Sequence, residues 1–434
     1  MGGASAGRRE CVARGSAAAA GAIALSALAL VAFANPVAAS DGNSWNPFAS
    51  STEKSTAQTY DRSFVREWEA NPPRGYPTLS PANIEPMKAA IKRYGEIVAA
   101  GGWETVPEGT LQPGMTSQAV GMLRKRLLTS GDLRDEGGSL DYYDYALERA
   151  VKRFQASNGL TPTGIVDKRT VAALNVPAST RLEQLKTNLG RVSELARSAG
   201  KKYVLVNVPS AQIEAIEGDR VVSRHSGVVG QFDRQTPLLR SAIHELNFNP
   251  MWTLPPTVIS KDLIPKGREM DKQGQSVLEK YGIDAYGGDG RKLDPKKINW
   301  SSAQPQGLVY RQQPGKDNPL GFLKINFHNN HSVYMHDTPS DSLFGRNFRA
   351  ASSGCVRVQG IEQLASWLLA ANGEWKQSRI EDMRKTGERL DVRLKTPVPV
   401  YFAYITAWVT EDGVVQFRRD LYRKDGVGAT ASAY

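Results

Sequence analysis

Apolar residues recur three and four apart along the first half of the chain, and each such run predicts a helix. Ile84, Met87, Ile91, Tyr94 and Val98 mark one from Ser80 to about Ala100. Ser80 is its N-cap and Pro81 its first helical residue; Pro86 delays the start or kinks the first turns. Gly101-Gly102 stops it. Val120, Leu123 and Leu127 mark a second helix, Ser117 to Leu128, and Leu147, Val151 and Phe154 a third, Asp144 to Ser157. A short fourth runs from Thr170 to Leu174, with Asp167 placed to cap it. Leu182, Leu185, Leu189, Val192 and Leu195 mark a fifth, Thr180 to Ala199.

From Lys202 the period changes. Tyr203 to Val208 and Val221 to Val229 are rich in β-branched residues and read as strands. Further strands are expected at Ala242 to Phe248, Gly321 to Phe327, Ser332 to Met335 and Val398 to Trp408. Strands without regular intervening helices predict a mixed, sandwich-like sheet and not a doubly wound one, giving an α+β chain. Lys261 to Lys316 interrupts them with Lys, Asp, Gly and Pro and few strand signals, and reads as an inserted lid. Ile361 to Ala371 is one more helix, with Leu364, Trp367 and Leu368 inward.

The N-terminus has a different pattern. Arg8, Arg9 and Arg14 precede an uncharged run from Ala17 to Phe33, and Val37-Ala38-Ala39 suits a signal peptidase. Residues 1–39 are therefore expected to be a signal peptide, with an uncleaved anchor as the alternative, and the remainder to be exported to the periplasm. No later stretch reaches the roughly 20 apolar residues of a spanning helix. The expected organisation continues with a flexible and helical scaffold over 40–110 and a small three-helix domain over 111–176. A linker helix follows over 177–200. The sheet domain occupies 201–424 with its lid at about 261–316, and a flexible tail ends the chain at 425–434.

Composition changes this picture in two places. The chain has 434 residues, 40% hydrophobic and 23% charged, which fits two or three ordinary globular domains. Its two cysteines exclude a disulfide scaffold and a four-cysteine zinc site. Cys11 lies in the leader, so Cys355 is the mature chain's one thiol. The net charge of +11 falls to +9 without the leader's three Arg and one Glu. Lys and Arg are dispersed, with no aromatic-interleaved basic runs, which argues against a nucleic-acid partner.

Cys355 sits in Ser352-Ser353-Gly354-Cys355-Val356-Arg357-Val358, about twenty residues after Val333-Tyr334-Met335-His336-Asp337-Thr338-Pro339. A thiol nucleophile needs a base to generate thiolate, and the imidazole needs an acceptor to orient it. Gly354 lets the backbone turn tightly, so that the Gly354 and Cys355 amides could hold an oxyanion. Arg357 is a fixed cation for a carboxylate or carbonyl. Spacing alone does not choose His336 over His225, His244, His328 and His331.

Two stretches resemble known families. Ala150-Val151-Lys152-Arg153-Phe154-Gln155, Gly159-Leu160, Thr163-Gly164, Asp167, Thr170 and Ala173-Leu174-Asn175 resemble the three-helix peptidoglycan-binding domain, in residues that mark the fold. Gly230 to Pro237, Asn249-Pro250-Met251-Trp252, Pro319-Leu320-Gly321 and the two motifs around His336 and Cys355 resemble L,D-transpeptidases with a YkuD-type domain, in particular the large murein enzymes of the YcbB type. Ser353 stands where the broader motif has His.

That resemblance implies a fold, a reaction and a site. Cys355 attacks meso-diaminopimelate in a stem tetrapeptide and expels D-Ala. His336 shuttles the proton, oriented by a carbonyl of Ser352 or Ser353, with Asp337 structural. Arg357, Tyr334 and Asn329 are the expected substrate contacts. A second stem's amine as acceptor gives a 3→3 cross-link, water makes the enzyme an L,D-carboxypeptidase, and a protein lysine attaches that protein to the wall. The partners implied are peptidoglycan stem peptides and glycan, with acylation by carbapenem-type inhibitors; no cofactor and no metal are implied. A non-catalytic wall-binding protein and a cysteine endopeptidase of the wall are the competing classes.

Overall fold

The computed structural model describes residues 77–134, 139–410 and 413–428. The expected leader lies outside the described residues, as do the stretch before residue 77 and the last six positions.

The helical part follows its caps. Ser80 Oγ accepts from the Ala82 amide at 3.2 Å and starts a short turn that leads into α1 (Ile84–Ala99), which accommodates Pro86 in its first turn. Ser117, Asp144 and Asp167 cap α2 (Gln118–Ser130), α3 (Tyr145–Ser157) and α4 (Lys168–Leu174), each accepting from the amide three residues on. Val120, Leu123, Leu127, Leu147, Val151, Phe154 and Leu174 form their common core. Leu111 pairs with Val166, closing this three-helix domain on itself. Gln155, beside core residue Phe154, accepts from the Gly164 amide at 2.9 Å and donates to the Ile165 carbonyl at 2.8 Å. The Phe-Gln and Thr-Gly signatures are thus a helix and the turn it pins. The fifth helix, α5, spans Ala178–Ala196.

Strands β1 (Lys202–Asn207), β2 (Gln212–Glu217), β3 (Arg220–Gly230) and β4 (Leu239–Phe248) open the sheet domain. The lid contributes β5 (Trp252–Thr253), α6 (Ile264–Asp271), α7 (Val277–Tyr281), β6 (Ile283–Tyr286) and β7 (Val309–Gln312). The chain then returns through β8 (Leu323–Phe327), β9 (Met335–His336), β10 (Ala350–Ser352) and β11 (Val356–Val358). Helices α8 (Ile361–Leu368) and α9 (Gln377–Thr386) precede β12 (Leu390–Ala403), β13 (Ala407–Val409) and β14 (Val415–Phe417).

The main sheet is mixed, as expected, with order β10-β3-β11-β9-β8-β4-β12-β1-β2. Strand β2 also pairs with β3, so the ladder closes on itself. Closure leaves no edge within the ring, to which β10 adds on β3, and a separate core on each side buries both faces of β1. Val204 and Val206 face a core shared with α8 and α9, whereas Tyr203 and Leu205 face α1 and α5.

Four expectations need correction. Val398 to Trp408 is not one strand. After Ala403 the Ile405 and Thr406 amides leave the ladder and donate to the Asn207 and Asn188 side chains, at 3.0 and 2.8 Å. The stretch over 261–316, expected to have few strands, contains them and packs with residues on either side of it. It has its own core, including Trp252, Leu263, Met270, Trp300, Tyr310 and Leu320, and a β5-β7-β6 sheet. The stretch expected as a strand from Ser332 joins the ladder only at Met335, because Ser332 takes φ 54° in the loop before it. The tail is not flexible at its start. Asp425 is buried and accepts from Gln184 (3.0 Å), Thr406 (2.7 Å) and Arg191 (2.6 Å).

Candidate active site

Strand alternation builds the site. Met335, Val356 and Val358 point into the main core. Their neighbours Tyr334, His336, Cys355 and Arg357 therefore face the other way, into one cavity of about 100 Å³. Parallel pairing of β9 with β11 sets His336 opposite Arg357, and antiparallel pairing of β8 with β9 sets Lys324 opposite His336. Three adjacent strands thus present Lys324, His336 and Arg357 in one row. The lid supplies Trp252, Pro255, Thr257 and Val258 to the other wall, and Pro319, Leu320, Ser332 and Ser353 complete it.

His336 is buried, and its Nδ1 lies 2.5 Å from the Asp337 carbonyl. The Pro319 carbonyl also faces the ring. Its orienter is therefore Asp337 O, not Ser352 or Ser353. The Ser352 carbonyl is occupied by the Gln231 amide at 3.0 Å. Burial, and then the Arg357 charge, pull His336 down to about 3, so the ring is neutral at pH 7. The Asp337 carboxylate accepts from the Phe322 amide at 3.0 Å and sits 3.5 Å from Arg384.

Cys355 is half-buried, and burial raises its thiol above the ordinary range, opposed by hydrogen bonds from Tyr334 and by the charges of Lys324 and Arg357. Its Sγ lies 4.0 Å from the Ser332 carbonyl. Among the described residues no hydrogen bond joins Sγ to His336; with burial opposing both ions, the resting pair is thiol and neutral imidazole. The two amides expected to hold an oxyanion differ in this structure. The Gly354 amide, at φ 115°, already donates to Ser352 Oγ at 3.1 Å. The Cys355 amide has no acceptor among the described residues. Ser352 Oγ also donates to the Cys355 carbonyl at 2.5 Å, so Ser352 braces the nucleophile loop.

Arg357 lies at the cavity base, donates to Thr338 Oγ1 at 3.1 Å, and is lowered by burial to about 9, still charged at neutrality. Tyr334 lines the cavity, and its hydroxyl accepts from Trp252 Nε1 at 3.0 Å. Asn329 does not line it. Its side chain binds both the amide and the carbonyl of Val333, at 3.1 and 2.7 Å, and so shapes the loop before β9. Of the competing histidines, His331 reaches the cavity rim; His225 is buried on Ser223 and the Gln359 carbonyl, and His244 stacks on His328.

Residues 201–400 match the family described as the L,D-transpeptidase catalytic domain, and residues 116–174 match the peptidoglycan-binding domain family. The chain carries an L,D-transpeptidase catalytic domain. The transpeptidase domain holds both cavity walls, since β5 and the lid fall inside its matched span. A curated Haemophilus influenzae protein whose name assigns it to the L,D-transpeptidases is 31% identical over 222 residues. The match spans 51% of this chain and 44% of that relative's length. Solved L,D-transpeptidases from Xylanimonas cellulosilytica (16% identity, 69% of this chain, all of that one) and Mycobacterium smegmatis (12%, 47% and 58%) align at TM-scores of 0.23. At such scores the likeness adds nothing to the pairing described above.

Sequence reasoning gave no role to Lys324 or Trp252. Lys324 stands 4.5 Å over the Tyr334 ring and reaches the site through pairing of β8 with β9, whereas Trp252 reaches it from the facing wall through its bond to the Tyr334 hydroxyl. A lysine alternating with Leu323, Ile325 and Phe327 in a β-run was the available signal.

Proposed function

We propose that this protein is a peptidoglycan L,D-transpeptidase of the large, lid-bearing YcbB type, acting in two acyl-transfer steps. The observation that carries the reading is the convergence of Cys355, His336 and Arg357 on one cavity between sheet and lid. The Cys355 thiol attacks the stem's diaminopimelate carbonyl while neutral His336 takes the proton, and D-Ala leaves with that proton. The developing oxyanion is met by the Cys355 amide and the Tyr334 hydroxyl, whose oxygen is held by Trp252. Arg357 and Lys324 add positive potential that favours thiolate only as it forms. An acceptor amine then attacks the thioester, with His336 as base. The lid wall excludes water and so favours the amine over hydrolysis. The peptidoglycan-binding domain supports a site of action at the cell wall, and export to the periplasm is part of the same proposal.

Purified protein incubated with disaccharide tetrapeptides is expected to release D-Ala and form a 3→3 dimer, read by mass spectrometry. A carbapenem is expected to add once per chain. Cys355→Ala should lower D-Ala release by about 10³-fold or more and abolish the adduct; retention of either by that variant overturns the nucleophile. Monomeric tripeptide as sole product would make the enzyme a carboxypeptidase. Sacculus binding with no adduct would make it a binding protein.

A further inference from the structure

The segment joining β3 to β4 touches both parts that this chemistry must bring together. A Cβ on Gly230 would lie 2.2 Å from the Arg234 carbonyl oxygen, so the chain can fold back at once after β3. Thr236 Oγ1 accepts from the Gly230 amide at 2.8 Å and donates to the Gly354 carbonyl at 2.9 Å. Arg234, whose side chain is 10% exposed, donates to Ser353 Oγ at 2.7 Å and to Asp262 Oδ2 at 2.8 Å. Its second terminal nitrogen reaches Asp262 Oδ1 at 3.3 Å. Asp262 lies in the lid's wide turn Ile259–Leu263, and Ser353 lies two residues before Cys355. A weaker outer pair, Lys261 with Asp233 at 3.2 Å, runs alongside between exposed groups.

One planar guanidinium therefore fixes the direction of a lid carboxylate and of a nucleophile-loop hydroxyl together. Because the group is nearly buried, loss of the Asp262 carboxylate leaves its charge to a weaker counter-charge, Asp233 at 3.8 Å from Nε, and to little solvent, unlike a surface pair. We propose that Arg234 is a positioning residue that makes lid seating and alignment of Ser353–Cys355 a single event. The thiol is then aimed only while the lid is down. For its effect on chemistry the proposal rests on the transpeptidase reading; the tie itself does not.

The test substitutes the lid partner and reads the distant loop. In Asp262→Asn, hydrogen exchange followed by mass spectrometry is expected to quicken about fivefold or more in peptides covering 350–358, as well as in the lid. With tetrapeptide substrate, kcat should fall roughly tenfold, KM should move less than about threefold, and hydrolysed product should gain on cross-linked product. Arg234→Lys keeps the charge but loses the fork and should act in the same direction, whereas Asp262→Glu should restore both readouts to within about threefold. Faster exchange confined to 252–320 overturns the tie, and an Asp262→Asn enzyme with unchanged kcat and product ratio overturns its effect on chemistry. Exchange is measured without substrate. A wild-type chain that forms no carbapenem adduct would thus overturn the transpeptidase reading while the exchange data still judge Arg234.

Discussion

At the scale of single residues, the site is set for a neutral resting pair. Papain-like sites hold thiolate and imidazolium before substrate arrives. Here burial opposes both ions, and two cations flank the imidazole. Alkylation of Cys355 by iodoacetamide is therefore expected to climb steadily with pH from 6 to 9, without a plateau beginning near 6. A flat profile across that range would show a preformed ion pair. The Cys355 and His336 motifs were legible in the sequence because each is local. Arg234 and Trp252 stood in motifs that carried the resemblance, but their roles and that of Lys324 were not legible, since their partners are brought in from distant segments. Asn329 misled for the opposite reason: a polar residue near the histidine motif is consumed by its own loop.

At the scale of elements, what was legible is what local chemistry decides. Ser117, Asp144 and Asp167 announced their helices because an N-cap oxygen and the amide three residues on are neighbours in sequence. Asp144 also binds Arg124 at 2.6 Å, and Arg124 is almost fully buried. Asp144→Ala is expected to cost about 2 kcal/mol of stability in urea unfolding, against about 1 kcal/mol for Asp167→Ala, which loses the cap and the Thr170 hydroxyl bond but no ion pair. Strands were legible only when long. Strand β2 hides its alternation because Glu214 is buried between Thr78 and Arg224 as completely as Ile213 and Ala215. Strands β9, β10 and β11 have two or three residues each, too few for a period to register.

At the scale of the whole molecule, buried titratable groups set the acid limit. Burial holds His225 near 4 and His336 near 3 in the folded chain, against about 6.5 when unfolded. Between those values the unfolded state binds more protons, so stability falls as pH drops from about 6.5. Asp337, raised by burial to about 6, works the other way between about 4 and 6. Asp132 and Asp262, which burial also raises, act in the same direction, and together they offset part of that loss. The net expectation is a urea midpoint that declines from pH 7 to pH 4, with a shallower decline in His225→Gln. A midpoint that rises toward pH 4 would contradict these assignments.

The three-helix domain does not hang on a tether. Thr161 donates through its amide and hydroxyl to Asn347, at 2.9 and 2.5 Å, and Arg418 donates to the Ser157 carbonyl at 2.9 Å. Arg181 donates to Asn158 at 3.0 Å. A flexible linker would let a bound strand sample many distances from the cavity, at an effective concentration set by linker length. A docked domain acts as a ruler instead. A glycan strand gripped by it would present its stems to Cys355 at one fixed offset, so bond spacing along the wall would be set by the protein's own geometry.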